Sequence, residues 1–507
     1  MSGRQPDVLI GLDLGTSGLK AVACLDTGAV IARVEVRYAT FRHEPGASEQ
    51  DPDDWLAAVR TAVSGLQREV PCAEWVGIGL SGMIPTLVTT DAEGSPTGPA
   101  VTWEDARAEK QGDALRGVLD GLELYERTGQ WLDGRYLLPM FVRLAEAEPD
   151  RIRETSWVLG AKDFLFSWLT GERVTDPSTA TGFGCYGLRE GRWLPEVCDV
   201  VEDLIGRELP ALPDIRRTQY SAPLSEKAAR ELGLPLGLPI VLGMADSVAA
   251  TFALGVCAPG DVAYVAGTST VILCASEKLV VDAKHRYLVT PLADGASWGF
   301  EMDLLATGSA VRWLSGLFDC TEAELIDLAA ERGSIGSPIF LPYLAPGEQG
   351  ALWEPQLTGT LTGLGLQHDR ADLAAALLAG LILESRRCLE VAAEATGISG
   401  VIRVAGAGAA SPHFRSGLAN ASRRVVVAGD PGIDYSAVGA ALLVAPAIGR
   451  QPDGSAPGIA MSAGLSAIVA DPVKSIEWDE AARRFERALN AVRSLKVSST
   501  PTTGQAY

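Results

Sequence analysis

The sequence predicts an α/β protein of two lobes, and three observations predict it. Its 507 residues exceed what one ordinary core holds. Strand patterns alternate with helix patterns from Val8 to about residue 250. Near residue 260 a second strand-rich stretch, DVAYVAGTSTVILCA, repeats the form of the first, VLIGLDLGTSGLKAVACL. Each runs an apolar strand into a G-T-S turn and then into another apolar strand.

The elements follow in order. VLIGLDL and LKAVACL are strands around a Gly-containing turn, and VIARVEVRY alternates as a half-buried strand does, so residues 8 to 38 form an antiparallel meander. Residues 51 to 70 form a helix, capped by Asp51 or Asp53, with Trp55, Val59 and Val63 on one face. WVGIGLSG is a continuously apolar strand of the kind covered on both sides. The lobe boundary falls in ALGVCAPGD, where Pro259 and Gly260 break the pattern, giving lobes at 1–256 and 257–495. A long helix starts near Asp369, a strand follows at VIRVAGAG, a helix starts near Ser411, and residues 479 to 495 form a terminal helix. Residues 496–507 read as a disordered tail.

Composition narrows the function classes. Hydrophobic residues make up 47% and charged residues 21%, the balance of a globular protein with filled cores. The net charge of −21 argues against nucleic acid or an acidic membrane as partner. No run of about 18 apolar residues suggests a membrane span, and MSGRQPD lacks the apolar core of a signal peptide. The eight cysteines are scattered without a C-x-x-C, as buried free thiols of a reducing compartment are, so a cytoplasmic location is expected. The four histidines show no ligand spacing, which argues against a structural zinc.

The turns carry the chemistry. The first contains Asp13, Gly15, Thr16, Ser17, Gly18 and Lys20, and is neither a Walker A loop nor G-x-G-x-x-G. A turn between strands can aim consecutive N–H groups at an anion, with hydroxyls and Lys20 adding to the pull. Asp13 would repel a phosphate unless a hydrated Mg²⁺ lay between them. The plainer alternative is a Gly-rich hairpin with solvated side chains. Gly267, Thr268, Ser269 and Thr270 form a second such turn, able to oppose the first across a polyphosphate. In VAGAGAASPHF the small residues suit either a flat ring against the backbone or close strand–helix packing. Asp246, at a strand-to-helix junction, is either a helix cap or the general base for an attacking alcohol. In VTWEDARAEK, Trp103 suits stacking on a sugar, and Asp105 and Arg107 suit its hydroxyls; the alternative is an ordinary helix start.

Taken together and in order, GLDLGTSGLK, WEDAR, GMADSVAA, GTST, GLGLQHDRADLAAALLAGL and GAGAASPHF…SAVGAALL resemble the FGGY family of carbohydrate kinases, over about Val8 to Val444, and most closely its xylulokinase-like branch. The resemblance implies a two-lobe fold of the actin, sugar-kinase and heat-shock-chaperone type, with ribonuclease-H-like cores and an interlobe cleft where ATP and sugar meet. It implies that Asp13 holds Mg²⁺ through water, that Thr16, Ser17 and Lys20 face the terminal phosphates with Gly267 and Thr268 opposite, and that Gly308 and Arg312 lie beside the nucleotide. Gly406 and Ala407 would line the adenosine site, Asp246 would be the base, and Trp103, Asp105 and Arg107 would border the sugar. Departures concentrate on the substrate side. SGMIPT places Ile84 and Pro85 where many xylulokinase-like members have Met and His, and Ala379 stands at a usual acid.

The expected function is ATP-dependent phosphorylation of a sugar or polyol, first D-xylulose to xylulose 5-phosphate. The alternatives are another ketose, a polyol, an aldonic acid, or a non-catalytic nucleotide-dependent sensor. Family analogy suggests a homodimer.

Overall fold

The chain opens on three strands because apolar alternation continues across two tight turns. In the computed structural model, which describes residues 7–71, 75–332, 336, 338–345, 350–354, 356–450 and 467–497, β1 (Val8–Leu14) pairs antiparallel with β2 (Gly18–Cys24), and β2 with β3 (Val30–Arg37). Helix α1 (Pro52–Glu69) starts at Asp51, whose carboxylate accepts the Asp53 N–H. Trp55, Val59 and Val63 are buried in one core with Ile10 and Leu12. There follow β4 (Trp75–Gly82), α2 (Ala161–Thr170), β5 (Ser221–Pro223), β6 (Pro239–Ala245) and α3 (Asp246–Ala253).

These strands form a six-stranded sheet in the order β5-β6-β4-β1-β2-β3. Strands β1, β4 and β6 are parallel neighbours. Their carboxyl ends therefore share one edge, where ligands of open α/β sheets bind. Asp13, Ser81 and Asp246 all sit there, at or just beyond strand ends.

Described residues cluster in two compact units, one within Met1–Cys257, Ala275–Gly299 and Ile433–Ser462, the other within Ala258–Cys274, Phe300–Gly432 and Ala463–Tyr507. The second unit contains β7 (Val262–Ala266), β8 (Thr270–Ser276), β9 (Trp298–Leu304), α4 (Gly308–Leu317), α5 (Arg370–Thr396), β10 (Ile402–Gly406), α6 (Pro412–Ser422) and β11 (Val426–Ala428). Its sheet includes, in order, β9, β8, β7, β10 and β11. Strand β7 has an antiparallel neighbour, β8, and a parallel one, β10. Strand β1 has the same pair of neighbours in β2 and β4, so the likeness of the two G-T-S stretches extends to local topology. Helix α5 begins with a capping box in which Asp369 and Asp372 serve each other's backbone.

After β11 the chain returns to the first unit as α7 (Tyr435–Leu442). This helix lies closer than side chains would permit. A Cβ on Gly11 would fall 1.9 Å from the Ala437 carbonyl oxygen, one on Gly79 1.9 Å from that of Ala440, and one on Gly439 2.0 Å from that of Ala249. Glycines of β1, β4 and α7 itself are thus the condition for its seat. The last helix, α8 (Pro472–Val497), starts before residue 479 because the Asp471 carboxylate accepts the Val473 N–H. The expected tail beyond Val497 lies outside the described residues, as does Cys72. Cys24, Cys185, Cys274 and Cys388 are buried thiols, Cys198 and Cys320 are half-buried, and Cys257 is exposed, contrary to the expectation of burial. Among the described residues no helix is long and apolar enough to cross a membrane.

Gly79→Ala forces a backbone shift and is expected to cost about 2–3 kcal/mol, lowering the thermal midpoint by several degrees. Gly117→Ala, on a helix face with nothing within 4 Å of its Cβ, is the control and is expected to be neutral or slightly stabilising. Equal midpoints for the two variants would contradict the close packing of α7.

Candidate active site

The first turn is tied back by its carbonyls. The Tyr38 hydroxyl donates to the Gly15 carbonyl, and Gln50 Nε2 donates to that of Thr16 at 2.7 Å. Trp103 Nε1 donates to Thr16 Oγ1 at 3.0 Å. Among the described residues no hydrogen bond engages the N–H groups of Thr16 and Ser17. The turn is thus held by its carbonyls while these N–H groups have no internal acceptor among those residues, the condition under which a turn can take an anion. Gly15 keeps space beside Asp13, for a Cβ there would lie 3.5 Å from Asp13 Oδ2. Gly18 packs closely on β3, where a Cβ would meet the Val36 carbonyl oxygen at 2.7 Å.

Around this turn the first unit gathers three acids and one lysine. Asp13, 3% exposed, accepts the Ser81 hydroxyl at 2.8 Å. Burial first, and then the charges of Asp434 and Asp246, push its carboxyl up to about 8, against the opposing pull of Lys20 and Ser81. Lys20 Nζ lies 2.6 Å from Asp434 Oδ2. Asp434 caps α7 through Oδ1, which accepts the Ala437 N–H at 2.9 Å. Asp246 is the first residue of α3, just inside the N-cap Ala245, a place where a negative charge also favours the helix start. Its Oδ1 accepts the Ser247 N–H at 2.8 Å, and its carbonyl accepts the Ser436 hydroxyl of α7 at 3.0 Å. Burial pushes the half-buried Asp246 carboxyl up to about 6.

The WEDAR residues are arranged less openly than their sequence suggests. Asp105 is fully buried; its oxygens accept the Ser48 N–H at 2.8 Å and the Arg107 guanidinium at 3.0 and 2.7 Å. Arg107 also reaches Glu44 at 2.7 Å and Glu49. Both hold the loop that presents Trp103 to Thr16, and most of their hydrogen-bonding groups are engaged within the protein. Ile84 is half-buried in the loop leaving β4, and its Cγ1 would stand 2.9 Å from a Cβ on Gly182.

A separate group forms in the second unit. Gly308 opens α4 against the second turn, where a Cβ would fall 2.3 Å from the Gly267 carbonyl oxygen. Ser309 donates both N–H and hydroxyl to the Thr268 carbonyl, at 3.0 and 3.1 Å. Gly406, at φ 73°, lies so near β7 that a Cβ would meet the Ala266 carbonyl oxygen at 2.1 Å, and a short helix begins at Ala407. Gly267, Thr268, Gly308 and Gly406 therefore converge beyond the ends of β7 and β10. Arg312, one turn after Gly308 on α4, is exposed, and its Nε donates to Glu322 at 2.9 Å. Sequence reasoning missed Asp434 and Ser81. The D-x-x-A pattern before an Ala/Gly helix was a legible cap signal for Asp434, but nothing local tied it to Lys20.

Asp434→Ala removes a cap and the partner of a half-exposed lysine. The cap dominates, so the expected loss is about 1 kcal/mol, while the ion pair adds little. Asp434→Ser keeps a capping oxygen and should recover most of that loss in denaturant unfolding. A serine variant as unstable as the alanine variant would show that the ion pair carries the effect.

Comparison with known proteins gives the family. The profile of the FGGY family of carbohydrate kinases matches residues 8–253 with its N-terminal domain and residues 262–448 with its C-terminal domain. The xylulose kinase of Escherichia coli (strain K12) is 27% identical over 473 residues, covering 92% of this chain and 91% of that protein. The gluconokinase of Bacillus subtilis (strain 168) is 25% identical over 390 residues, 74% of each. Among solved structures, a xyloylose kinase from Brucella ovis matches with a TM-score of 0.88 at 27% identity, covering 96% of this chain and 100% of that one. The chain belongs to the FGGY family of carbohydrate kinases, and is a sugar kinase of the two-domain actin-like fold, a membership that implies ATP as phosphoryl donor.

Proposed function

We propose that the chain transfers the γ-phosphoryl group of ATP to a hydroxyl of a sugar or polyol, with D-xylulose as the first candidate. The observation that carries the reading is the meeting of an anion-ready turn, Lys20 and the half-buried Asp246 at one sheet edge. Xylulose is favoured by the xylulose kinase relative matched over 92% of the chain. The gluconokinase relative supports an aldonic acid as the second candidate.

In this reading Asp246 accepts the proton of the attacking hydroxyl. With its carboxyl near 6 it is ionised at neutral pH yet basic enough to take a proton. Thr16, Ser17 and Lys20 receive the terminal phosphates, whose charge spreads in the transition state. Trp103 borders the sugar and also fixes Thr16; Ile84 lies on the same substrate side. Asp105 and Arg107 act at one remove by ordering the loop. The group of Gly267, Thr268, Gly308, Gly406 and Ala407 takes the nucleotide, with Arg312 beside it.

Asp13 fits Mg²⁺. Its carboxyl offers oxygen ligands, and burial and neighbouring acids raise its affinity for a proton, an effect that a bound cation would oppose. Among the described residues no set of three or more metal-ligating side chains forms, so water and phosphate oxygens would complete the shell, as suits Mg²⁺. When bound, the ion neutralises the phosphate tail.

Asp246→Asn is expected to keep ATP binding by calorimetry and to lose turnover by about 10³-fold or more; near-normal turnover would refute the base. The pH profile gives an independent check. The base works as carboxylate, so kcat should fall with unit slope as pH drops through about 6. A flat profile down to pH 5 would contradict it. ADP release with pentuloses, hexuloses, polyols and aldonic acids identifies the acceptor, and hydrolysis that none of them stimulates would favour a sensor.

A further inference from the structure

A buried polar chain runs from a lysine to the backbone next to Asp246. Lys162, the second residue of α2, is 1% exposed, and Asp163 and Asp176 are fully buried. Lys162 Nζ lies 2.9 Å from Asp163 Oδ1 and 3.2 Å from Asp176 Oδ1. The Asp176 Oδ2 accepts the Ser178 hydroxyl at 2.5 Å and the Ser178 N–H at 2.9 Å. Ser178 Oγ in turn accepts the Ala245 N–H at 2.9 Å. Ala245 ends β6 and is the N-cap of α3, so the next residue is Asp246.

The direction of every link is set by charge. An ammonium only donates, and an ionised carboxylate only accepts. Asp176 therefore compels the Ser178 hydroxyl to donate to it, which turns an Oγ lone pair toward the Ala245 N–H. A serine without that carboxylate could rotate its hydrogen toward the amide and lose the bond. Lys162 in turn places its ammonium against Asp176 in a site that solvent does not reach. The bond to Ser178 matters because β6 is irregular just before it. The β6–β4 register shifts between Val241 and Met244, and Gly243 takes φ 76° with its Cβ position 1.6 Å from the Leu80 carbonyl oxygen. Such a bulge re-aims the residues after it, and the Ser178 bond fixes where they go. The lysine stem also touches the neighbouring strand, for a Cβ on Gly82 at the end of β4 would lie 3.1 Å from Lys162 Cβ.

We propose, on the reading of Asp246 as the base, that Lys162, Asp176 and Ser178 form a positioning relay that fixes Asp246 for proton acceptance. None of the three touches substrate; they act through the Ala245 amide.

The test is Ser178→Ala in the full chain, with Asp246→Asn and the double variant alongside. The alanine variant keeps the Asp176 cap through its own backbone N–H, so it is expected to fold. Its kcat should fall about 10- to 100-fold, the loss associated with misplacing a reacting group by an ångström or less, while KM for ATP and sugar stays within about twofold. Placed on Asp246→Asn, the same change should cost nothing further, because its effect passes through that carboxylate. A kcat within twofold of the parent would overturn the relay, as would an equal fractional loss in the Asp246→Asn background. Should Ser178→Ala not accumulate folded, Ser178→Thr decides: it keeps the oxygen, so kcat within a few-fold of the parent supports the relay and a loss like that expected of alanine overturns it. Full turnover by Asp246→Asn alone would remove the base and leave the two failures distinct.

Discussion

The first unit depends on one close approach: a helix seated on two strands and a second helix through backbone rather than side chains. Gly11, Gly79 and Gly439 permit it, each standing where a Cβ would overlap a carbonyl oxygen. Main chain at that distance leaves no room for adjustment, because interiors are packed as densely as crystals. The seat is what brings Asp434 to Lys20 and ties Ser436 to the Asp246 carbonyl. A segment more than 400 residues from the first turn by chain position thus completes its charge environment.

That environment explains why acids can crowd here. Asp13, Asp246 and Asp434 face a single lysine, and burial first, then the like charges, raise the carboxyl of Asp13 well above its ordinary value. Such displacement has a cost in the ligand-free protein that a bound cation relieves, as expected where a fold holds groups ready for a ligand. Asp246 is displaced less and mainly by burial, which leaves it a carboxylate at neutral pH. The same edge therefore holds two acids displaced to different extents by their surroundings and not by residue type.

Much of the fold was legible because it is local. The meander of residues 8 to 38, a cap at Asp51 or Asp53 and the Trp55, Val59 and Val63 face follow from spacing alone, and the structure reproduces them with Asp51 as the cap. The long helix with its Asp369 start was legible for the same reason. What could not be read depends on distant partners. Asp105 and Arg107 look like sugar ligands in WEDAR, but Glu44, Ser48 and Glu49 arrive from an earlier loop and engage them. The glycines in IGLDL and GIGL look like ordinary strand residues until a helix from the other end of the chain is laid on them. Asp246 shows the reverse case: its junction position was plain, and the structure puts it one residue inside the cap, with Oδ1 serving the Ser247 N–H.

The most direct test of the account is a crystal structure with a non-hydrolysable ATP analogue, Mg²⁺ and the sugar that stimulates ADP release. The account predicts an acceptor hydroxyl within about 2.6–3.2 Å of the Asp246 carboxylate, with water-bound Mg²⁺ beside Asp13. A sugar whose reactive hydroxyl faces another residue, with Asp246 out of reach, would contradict it.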